Sequence, residues 1–306
     1  MVATDIPEEG KMGESGYQDK DDELQKLVPT QKAYKNLDFL NSPEARMIRI
    51  QCELEEPKHR LKKEGVDNIV MFFGSARAKN QTDFNANIAK IQKEVDENPA
   101  LAPQLERAKK QEFLVKYYND TTALAKKFSE WSKKRMESGK EGYYVASGGG
   151  PGMMKAANKG AHEAGAKSVG FGISVPFEDG LNPYVTPELG FEFHYFFTRK
   201  FWMAYKVMGL VVCPGGLGTL DEMFELMTLM QTGKIKRKIP IILIGKDYWD
   251  KVIDFQVMAD YGMIAQNDVD GIYKTDSVLF SNKFNFERQN HSFDIRIFIQ
   301  NSFCRK

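Results

Sequence analysis

The sequence GLVVCPGGLGTLDE, residues 209–222, places an apolar run directly before a glycine-rich turn and the start of a helix. Residues 209–213 are apolar throughout, which is typical of a parallel strand covered on both faces. The glycines that follow permit a tight turn, and from Thr219 onward the pattern is helical. Strand, glycine turn and helix in this order form the unit from which doubly wound α/β folds are built.

The same alternation extends in both directions from this turn. The other predicted strands are 68–73, 143–146, 168–173, 191–196 and 239–244, and the predicted helices include 81–138, 152–164, 198–207 and one that begins at Tyr248. Proline residues divide the long helical stretch into an insertion near 80–110 and a crossover helix. We therefore predict an α/β fold, a Rossmann-like doubly wound parallel sheet with helices on both faces and an N-terminal helical extension.

Composition along the chain predicts four segments. Residues 1–30 are charged and poor in apolar residues, so we expect them to be disordered. Residues 31–65 form the helical extension, and residues 66–275 form the main α/β domain. Residues 276–306 are an atypical C-terminal tail, in which scattered aromatic and polar residues show no clear helical period.

Bulk composition excludes several classes of function. With 43 basic and 42 acidic residues the net charge is +1, which gives no global attraction for nucleic acid or an anionic membrane surface. The three cysteines lie far apart, a pattern that favours a reducing cytoplasm over a disulfide framework. No histidine pair has metal-ligand spacing, and no apolar run approaches the ~20 residues of a membrane span. We expect a cytoplasmic protein with no metal and no membrane or nucleic-acid partner.

Three glycine-bearing segments follow predicted strands, at 73–77, 147–154 and 214–222. Ligands of open α/β sheets bind at the carboxyl ends of the strands, where these segments lie. A single glycine turn has a structural explanation as readily as a functional one. Three of them on one rim favour a nucleotide-like ligand.

The third segment has the most chemical content. Gly215, Gly216 and Gly218 allow the backbone to approach an anion, and Thr219 adds a hydroxyl at the expected N-cap of the next helix. This pattern predicts a phosphate cradle. It is not a Walker A loop, because no Lys-Ser/Thr pair follows the glycines, and it is not a GxGxxG dinucleotide motif.

Charged residues near this cradle have both structural and functional explanations. Glu222 falls one turn into the helix and is either a partner of the helix dipole or a reactive carboxylate beside the phosphate. Arg199 and Lys200 open the preceding helix, where cations oppose the dipole, so we expect an anionic partner for them. We expect His194 to be packed within a strand, and Met153 to belong to the core or to line a base pocket.

At these positions the sequence resembles the LOG (Lonely Guy) family, whose members were formerly described as possible lysine decarboxylases. The family motif PGGxGTxxE matches residues 214–222 without a mismatch, and the upstream Arg199, Lys200 and Met203 also match. The first two glycine segments are similar to those of bacterial members. The resemblance covers about residues 66–275, and the additional helices indicate a longer bacterial branch.

The resemblance implies an N-glycosidase that hydrolyses the N-glycosidic bond of a nucleoside 5′-monophosphate and releases free base and ribose 5-phosphate. The substrate would be a purine nucleotide, such as a cytokinin riboside 5′-monophosphate or AMP, and no cofactor would be needed. A homodimer or larger homo-oligomer is expected. A non-catalytic nucleotide-binding or sensor protein with the same cradle stays open as an alternative.

The resemblance also implies roles for individual residues of this chain. Arg199 and Glu222 would form the catalytic pair. The phosphate would bind Gly215, Gly216, Gly218 and Thr219, and the nucleotide pocket would be lined by Gly74, Ser75, Gly149, Gly150, Met153 and Lys200.

Overall fold

The computed structural model describes residues 30–176, 180–237 and 239–277. The predicted disordered segment and the predicted C-terminal tail therefore lie almost wholly outside the described residues. In the described ranges, no helix is long and apolar enough to cross a membrane.

The chain divides into two compact units, with the boundary between Arg46 and Met47. The first unit contains helix α1 (Leu37–Asn41) and the 3-10 turns Ala33–Lys35 and Pro43–Ala45. The Asn36 side chain caps α1 by accepting a hydrogen bond from the backbone N–H of Phe39. Because the boundary lies at residue 46, the predicted extension 31–65 is divided between the two units.

The second unit contains a seven-stranded parallel sheet in the order β4-β3-β2-β1-β5-β6-β7. The strands are β1 (Ile69–Phe73), β2 (Tyr144–Ser147), β3 (Ser168–Ile173), β4 (Gly190–Phe193), β5 (Val207–Val212), β6 (Ile241–Ile244) and β7 (Ile272–Thr275). The chain moves outward from β1 to β4 and then returns to the other side of β1 with β5. This confirms the predicted doubly wound sheet.

Helices connect these strands. They are α2 (Arg46–Lys63), α3 (Gln81–Glu97), α4 (Ala102–Lys109), α5 (Phe113–Glu137), α6 (Met153–Glu163), α7 (Phe196–Tyr205), α8 (Leu217–Gln231), α9 (Lys246–Val252), α10 (Phe255–Asp260) and α11 (Gln266–Asp270), with 3-10 turns at Pro99–Leu101 and Pro187–Leu189. The insertion is α3 and α4, and the crossover from β1 to β2 is α5, as the prolines predicted.

The apolar core has two parts, one on each face of the sheet. Ile69, Met71 and Phe73 of β1 contribute to one part, and Val70 and Phe72 contribute to the other. All five side chains are buried, which explains why the strand reads as an unbroken apolar run rather than an alternating one.

The structure departs from the predicted elements after β6 and at the end of β4. The single helix predicted from Tyr248 is three short helices, and β7 follows them as an edge strand that the sequence analysis missed. The sequence of β7, Ile-Tyr-Lys-Thr, is too short and too polar to predict a buried strand. Strand β4 ends at Phe193, since the chain turns into α7 at Phe196.

The turn between β2 and α6 depends on Gly152. Its φ is +66°, and a Cβ there would lie 2.2 Å from the carbonyl oxygen of Ser75. The close approach is needed because the backbone N–H of Met153 donates to the same Ser75 oxygen at 3.0 Å. Gly139 has a similar φ of +75°, but a Cβ there would meet no atom within 4 Å.

Gly152→Ala should therefore lower the free energy of unfolding more than Gly139→Ala. The control carries only the cost of a side chain at positive φ, about 1 kcal/mol, whereas Gly152→Ala adds an overlap with backbone and should cost about 3 kcal/mol or more. Urea denaturation followed by circular dichroism measures both. Equal losses would show that the Ser75 contact does not constrain this turn.

Candidate functional site

The chain order reverses between β1 and β5, which makes their carboxyl ends the switch point of the sheet. Open α/β sheets form a crevice at such a point because the connections leave in opposite directions. Two of the three glycine segments follow β1 and β5, and the third follows the neighbouring β2. Topology thus brings all three to one rim.

Backbone hydrogen bonds join the three turns. The N–H of Ser75 in the first turn donates to the carbonyl of Pro214 in the third at 3.0 Å. The N–H of Met153, at the end of the second turn, donates to the carbonyl of Ser75 at 3.0 Å. The first glycine segment, at 73–77, therefore fixes the positions of the other two glycine segments relative to each other.

Helix α8 begins earlier than the sequence predicted. Its first residue is Leu217 and its N-cap is Gly216, so Thr219 lies inside the first turn and the expected Thr219 N-cap is wrong. The Thr219 hydroxyl instead packs against Gly215, where a Cβ would lie 2.1 Å from Thr219 Oγ1. The reason is that the glycines themselves adopt the turn and leave the helix start without a side-chain acceptor.

The start of α8 faces open space. A Cβ built on Gly216 or Gly218 would meet no atom within 4 Å, and both residues are exposed. A glycine N-cap has no side chain to accept from the first N–H groups of the helix, so these donors are available to an anion. Helix α6 likewise starts after a glycine N-cap, Gly152. Helix N-termini with glycine N-caps thus follow both β2 and β5 at this rim.

Tyr248 of α9 supports the third turn from outside. Its hydroxyl donates to the carbonyl oxygen of Gly215 at 2.7 Å. In a trans peptide the carbonyl and the next N–H point in opposite directions, so the N–H of Gly216 points away from Tyr248. Sequence reasoning missed this contact, because nothing in the pattern of α9 distinguishes Tyr248 from a packing tyrosine.

Arg199 and Glu222 form an ion pair at this rim. Arg199 Nη1 lies 3.2 Å from Glu222 Oε1, and the two side chains are 11% and 10% exposed. Arg199 Nε also donates to the carbonyl of Phe171 in β3 at 2.7 Å, and a Cβ on Gly148 would lie 2.6 Å from Arg199 Nη2. One guanidinium therefore contacts α8, β3 and the second glycine turn.

The environment of Glu222 favours its protonated form. Burial raises the pKa of the carboxyl above its usual range, and the charges of Arg199 and Lys200 oppose that rise without cancelling it. A carboxyl with a raised pKa, beside a buried arginine and an open helix start, has the properties of a general acid or base.

Lys200 binds the protein's own carboxylates. Its Nζ lies 2.7 Å from Asp221 Oδ2 and 3.1 Å from Glu225 Oε2, both on α8. Burial lowers the pKa of Lys200, but these two hydrogen bonds outweigh it and the net effect is a raised pKa. The anionic partner that we expected for Arg199 and Lys200 is thus supplied within the chain, at Glu222, Asp221 and Glu225.

The second glycine turn is held by a buried polar network. Asn182 Nδ2 donates to the carbonyls of Gly149 and Gly150 at 2.9 and 3.2 Å, and to Asn158 Oδ1 at 3.0 Å. Ser147 Oγ donates to the same Asn158 oxygen at 2.6 Å and accepts from the N–H of Gly149 at 3.0 Å. The Gly149 and Gly150 carbonyls are therefore already engaged by the protein.

Sequence reasoning missed Asn158 and Asn182. The available signal was an asparagine on the apolar face of α6, since Asn158 follows Ala156 and Ala157, lies one turn before Ala161 and is fully buried. A buried amide requires partners for all its polar atoms, which predicts a network even where the partners cannot be named.

Three other residues considered in the sequence, Ser75, Met153 and His194, differ in how far they are exposed. Ser75 is partly exposed, and its Oγ accepts from the N–H of Arg77 at 3.1 Å. Met153 is 1% exposed and packs in the core beneath Gly74, so its side chain does not line an open pocket. His194 is exposed at the start of α7, and the prediction of a packed histidine is wrong because β4 ends one residue earlier.

Cys213 lies directly beneath the third turn. It is fully buried, its Sγ is 3.0 Å from Thr121 Oγ1, and burial raises the pKa of the thiol to about 12. Its role in this position is packing.

Fold and site together define a Rossmann-like α/β protein with a buried arginine–glutamate pair at the switch point of its sheet. Residues 154–278, which include both members of the pair, match the family model described as "Possible lysine decarboxylase". Over these residues the chain is therefore similar to that family. No curated protein matches the chain significantly.

Several solved structures are similar to the chain at low identity. The X-ray structure of the structural-genomics target TM1055 is 17% identical and has a TM-score of 0.39, covering 69% of this chain and 94% of that one. The Moco carrier protein from Chlamydomonas reinhardtii is 16% identical, with a TM-score of 0.37 and coverage of 69% and 91%. The molybdenum cofactor binding protein from Rippkaea orientalis is 17% identical, with a TM-score of 0.34 and coverage of 51% and 82%. TM-scores this low carry no conclusion about this chain.

Asn182→Ala should destabilise the protein more than Asn68→Ala. Asn68 is a matched control, since its Nδ2 makes one hydrogen bond to a glycine carbonyl, that of Gly142 at 3.2 Å, at the opposite edge of the sheet. The Asn182 amide donates to three acceptors rather than one, so its loss should cost about 2–3 kcal/mol, against about 1 kcal/mol for the control. Urea unfolding measures both, and a smaller loss at position 182 would contradict the proposed network.

Proposed function

We propose that this protein hydrolyses the N-glycosidic bond of a purine nucleoside 5′-monophosphate, such as AMP or a cytokinin riboside 5′-monophosphate, and releases the free base and ribose 5-phosphate. The observation that carries the proposal is the buried pair of Arg199 and Glu222 directly beside the open N-terminus of α8. A phosphate fits the helix start, and a carboxylate one turn away fits the sugar attached to it.

The 5′-phosphate is proposed to bind the N–H groups at the start of α8, around Gly216 and Gly218. The helix dipole and the open space beside these glycines favour an anion there. Thr219, packed against Gly215, supports the turn from within. Holding the phosphate at this point fixes the distance between the ribose and Glu222.

Glu222 is proposed to act on C1′. Cleavage of the C1′–N bond passes through an oxocarbenium-like state, which an adjacent carboxylate stabilises. Water adds its oxygen to C1′ and gives a proton to the Glu222 carboxylate, while the departing base nitrogen takes the bonding electron pair and a proton from solvent. Arg199 fixes the orientation of the carboxylate through their ion pair.

Amino-acid decarboxylation, which the family description names, fits the site poorly. Decarboxylation through pyridoxal phosphate requires a lysine that forms a Schiff base, and such lysines are activated by a lowered pKa. Lys200 lies next to Arg199 and Glu222 and forms ion pairs with two other carboxylates. Its pKa is raised instead.

Glu222→Gln and Arg199→Ala should each reduce base release from AMP by about a thousandfold, because one removes the reactive carboxylate and the other the group that orients it. Chromatographic detection of free base, over a panel of nucleoside monophosphates, measures the rate. Glu56→Gln, which removes an ion-paired carboxylate on α2, is the control and should retain wild-type activity.

Two outcomes would contradict the proposal. Normal turnover by Glu222→Gln would exclude Glu222 as the reacting group. Nucleotide binding without base release by the wild-type protein, measured by calorimetry alongside the panel, would favour a non-catalytic binding or sensor protein.

The rate of base release should also fall at acid pH, with a midpoint that reflects the raised pKa of Glu222. Because burial raises the pKa of Glu222, its carboxylate forms only above the ordinary carboxyl value of 4.5, so kcat/KM should decline with a midpoint above that pH. Lys200→Met removes a charge that lowers the pKa of Glu222 and should move the midpoint to higher pH.

Lys206→Met is the matched control for this pH profile. Lys206 has nearly the same exposure as Lys200, 18% against 19%, and also pairs with an aspartate at 2.7 Å, but it lies at the opposite edge of the sheet. A midpoint that moves equally in both variants, or in neither, would show that Lys200 does not control the ionisation of Glu222.

The assembly expected from the resemblance, a homodimer or larger homo-oligomer, stays a proposal. Helix α7 exposes several aromatic side chains, namely Phe196, Phe197, Phe201 and Tyr205, which are 44–57% exposed. Sedimentation velocity at micromolar concentration determines whether the chain is a monomer.

A further inference from the structure

Helices α6, α7 and α8 follow β2, β4 and β5 and are among the helices that begin at the carboxyl edge of the sheet. The N-termini of α6 and α8 follow glycine N-caps, whereas the N-terminus of α7 is occupied by the side chain of Glu53 from α2. Glu53 Oε1 accepts from the backbone N–H of His194 at 2.9 Å, and Oε2 accepts from the N–H of Tyr195 at 3.4 Å and from the Thr198 hydroxyl.

A second contact ties the same residue to the middle of α7. The backbone carbonyl of Glu53 accepts from Trp202 Nε1 at 2.9 Å, and Trp202 is 1% exposed in the core. Glu53 thus binds α7 both before its first turn and one turn after Arg199. The two contacts fix the position of the helix along its axis and its rotation about that axis.

The other end of α7 is held by a charge of the opposite sign. Arg237 donates from Nη2 to the carbonyl of Tyr205 at 3.0 Å and from Nε to the carbonyl of Val207 at 2.8 Å. A carboxylate at the N-terminus and a guanidinium at the C-terminus both complement the helix dipole. Helix α7 is therefore clamped at both ends by side chains from other elements.

The helix needs this support because of what it carries. Arg199 and Lys200 lie in its first turns, where two cations oppose the dipole. Thr198, whose hydroxyl donates to Glu53, immediately precedes Arg199. The guanidinium of Arg199 contacts both Phe171 and Glu222, so the position of the first turn of α7 sets the geometry of both contacts.

We infer that Glu53 is a positioning residue for Arg199, so that α2 is a working part of the site. Glu53 binds the backbone just before α7 and the Thr198 hydroxyl, and so fixes the turn from which Arg199 extends. The kinetic part of this inference rests on the proposed base-releasing activity, whereas the structural part does not.

The structural part is tested by hydrogen–deuterium exchange of the free protein. Glu53→Ala should make the amides of residues 194–199 exchange about tenfold faster, while those of α8 stay as in the wild type. Glu55→Ala, an exposed glutamate of the same helix that pairs with Lys58 at 3.6 Å, is the matched control and should leave α7 unchanged. Glu53→Gln keeps the acceptor oxygen without the charge and should be intermediate; it carries the test if Glu53→Ala does not fold.

The kinetic part is tested by a double-variant cycle on base release. Glu53→Ala should lower kcat about ten- to a hundredfold with little change in KM. If Glu53 acts through Arg199, adding Glu53→Ala to Arg199→Ala should cost no further activity. A residue that only stabilises the fold would instead lower activity by the same factor in both backgrounds.

The outcomes separate the two proposals. Unchanged exchange in α7 of Glu53→Ala overturns the inference whatever the activity, and so do faster exchange with a wild-type kcat or fully additive losses in the double variant. If the wild-type protein releases no base from any nucleotide, the proposed function fails, and exchange alone then decides whether Glu53 positions α7.

Discussion

The ion pair between Arg199 and Glu222 is the interaction on which the arrangement of this rim depends. A buried pair stabilises a protein only when its geometry is good, because each charge loses its hydration and must regain it from its partner. The cost of misplacing either residue is therefore high. The guanidinium meets this requirement through contacts with Phe171 as well as Glu222. The Glu222 carboxylate recovers only part of the stabilisation that it loses with its hydration, since burial still raises its pKa.

Helix starts at one edge of a sheet pose a general electrostatic problem, and this molecule resolves it unequally. The positive ends of α6, α7 and α8 lie at the carboxyl edge of the sheet, after β2, β4 and β5. One end is neutralised from within by Glu53, whereas the other two follow glycines. The internal carboxylate fixes the helix that bears the arginine, and the glycine-capped ends can receive an anion from solution. Helix α7 is thus held in place from within the protein, whereas the starts of α6 and α8 are open to a ligand.

The sheet could be predicted from the sequence because its strands are buried on both faces, so that 69–73 and 207–212 form unbroken apolar runs. Edge strand β7 was not predicted, because it is short and only partly buried. At the site, the glycines and the charged pair were visible as local patterns. The partners of Lys200, the Asn182 network and the Glu53 contacts were not, since they join residues about 20 to 150 positions apart and depend on side-chain direction, which no local pattern encodes.

Cys213 has a consequence for how this rim responds to its surroundings. The thiolate is the form of cysteine that reacts with peroxides and electrophiles, and a pKa of about 12 leaves almost none of it at the pH of a cell. Its complete burial beneath the third turn also keeps such reagents away. Oxidants and covalent inhibitors that target thiols would therefore find no point of attachment at Cys213.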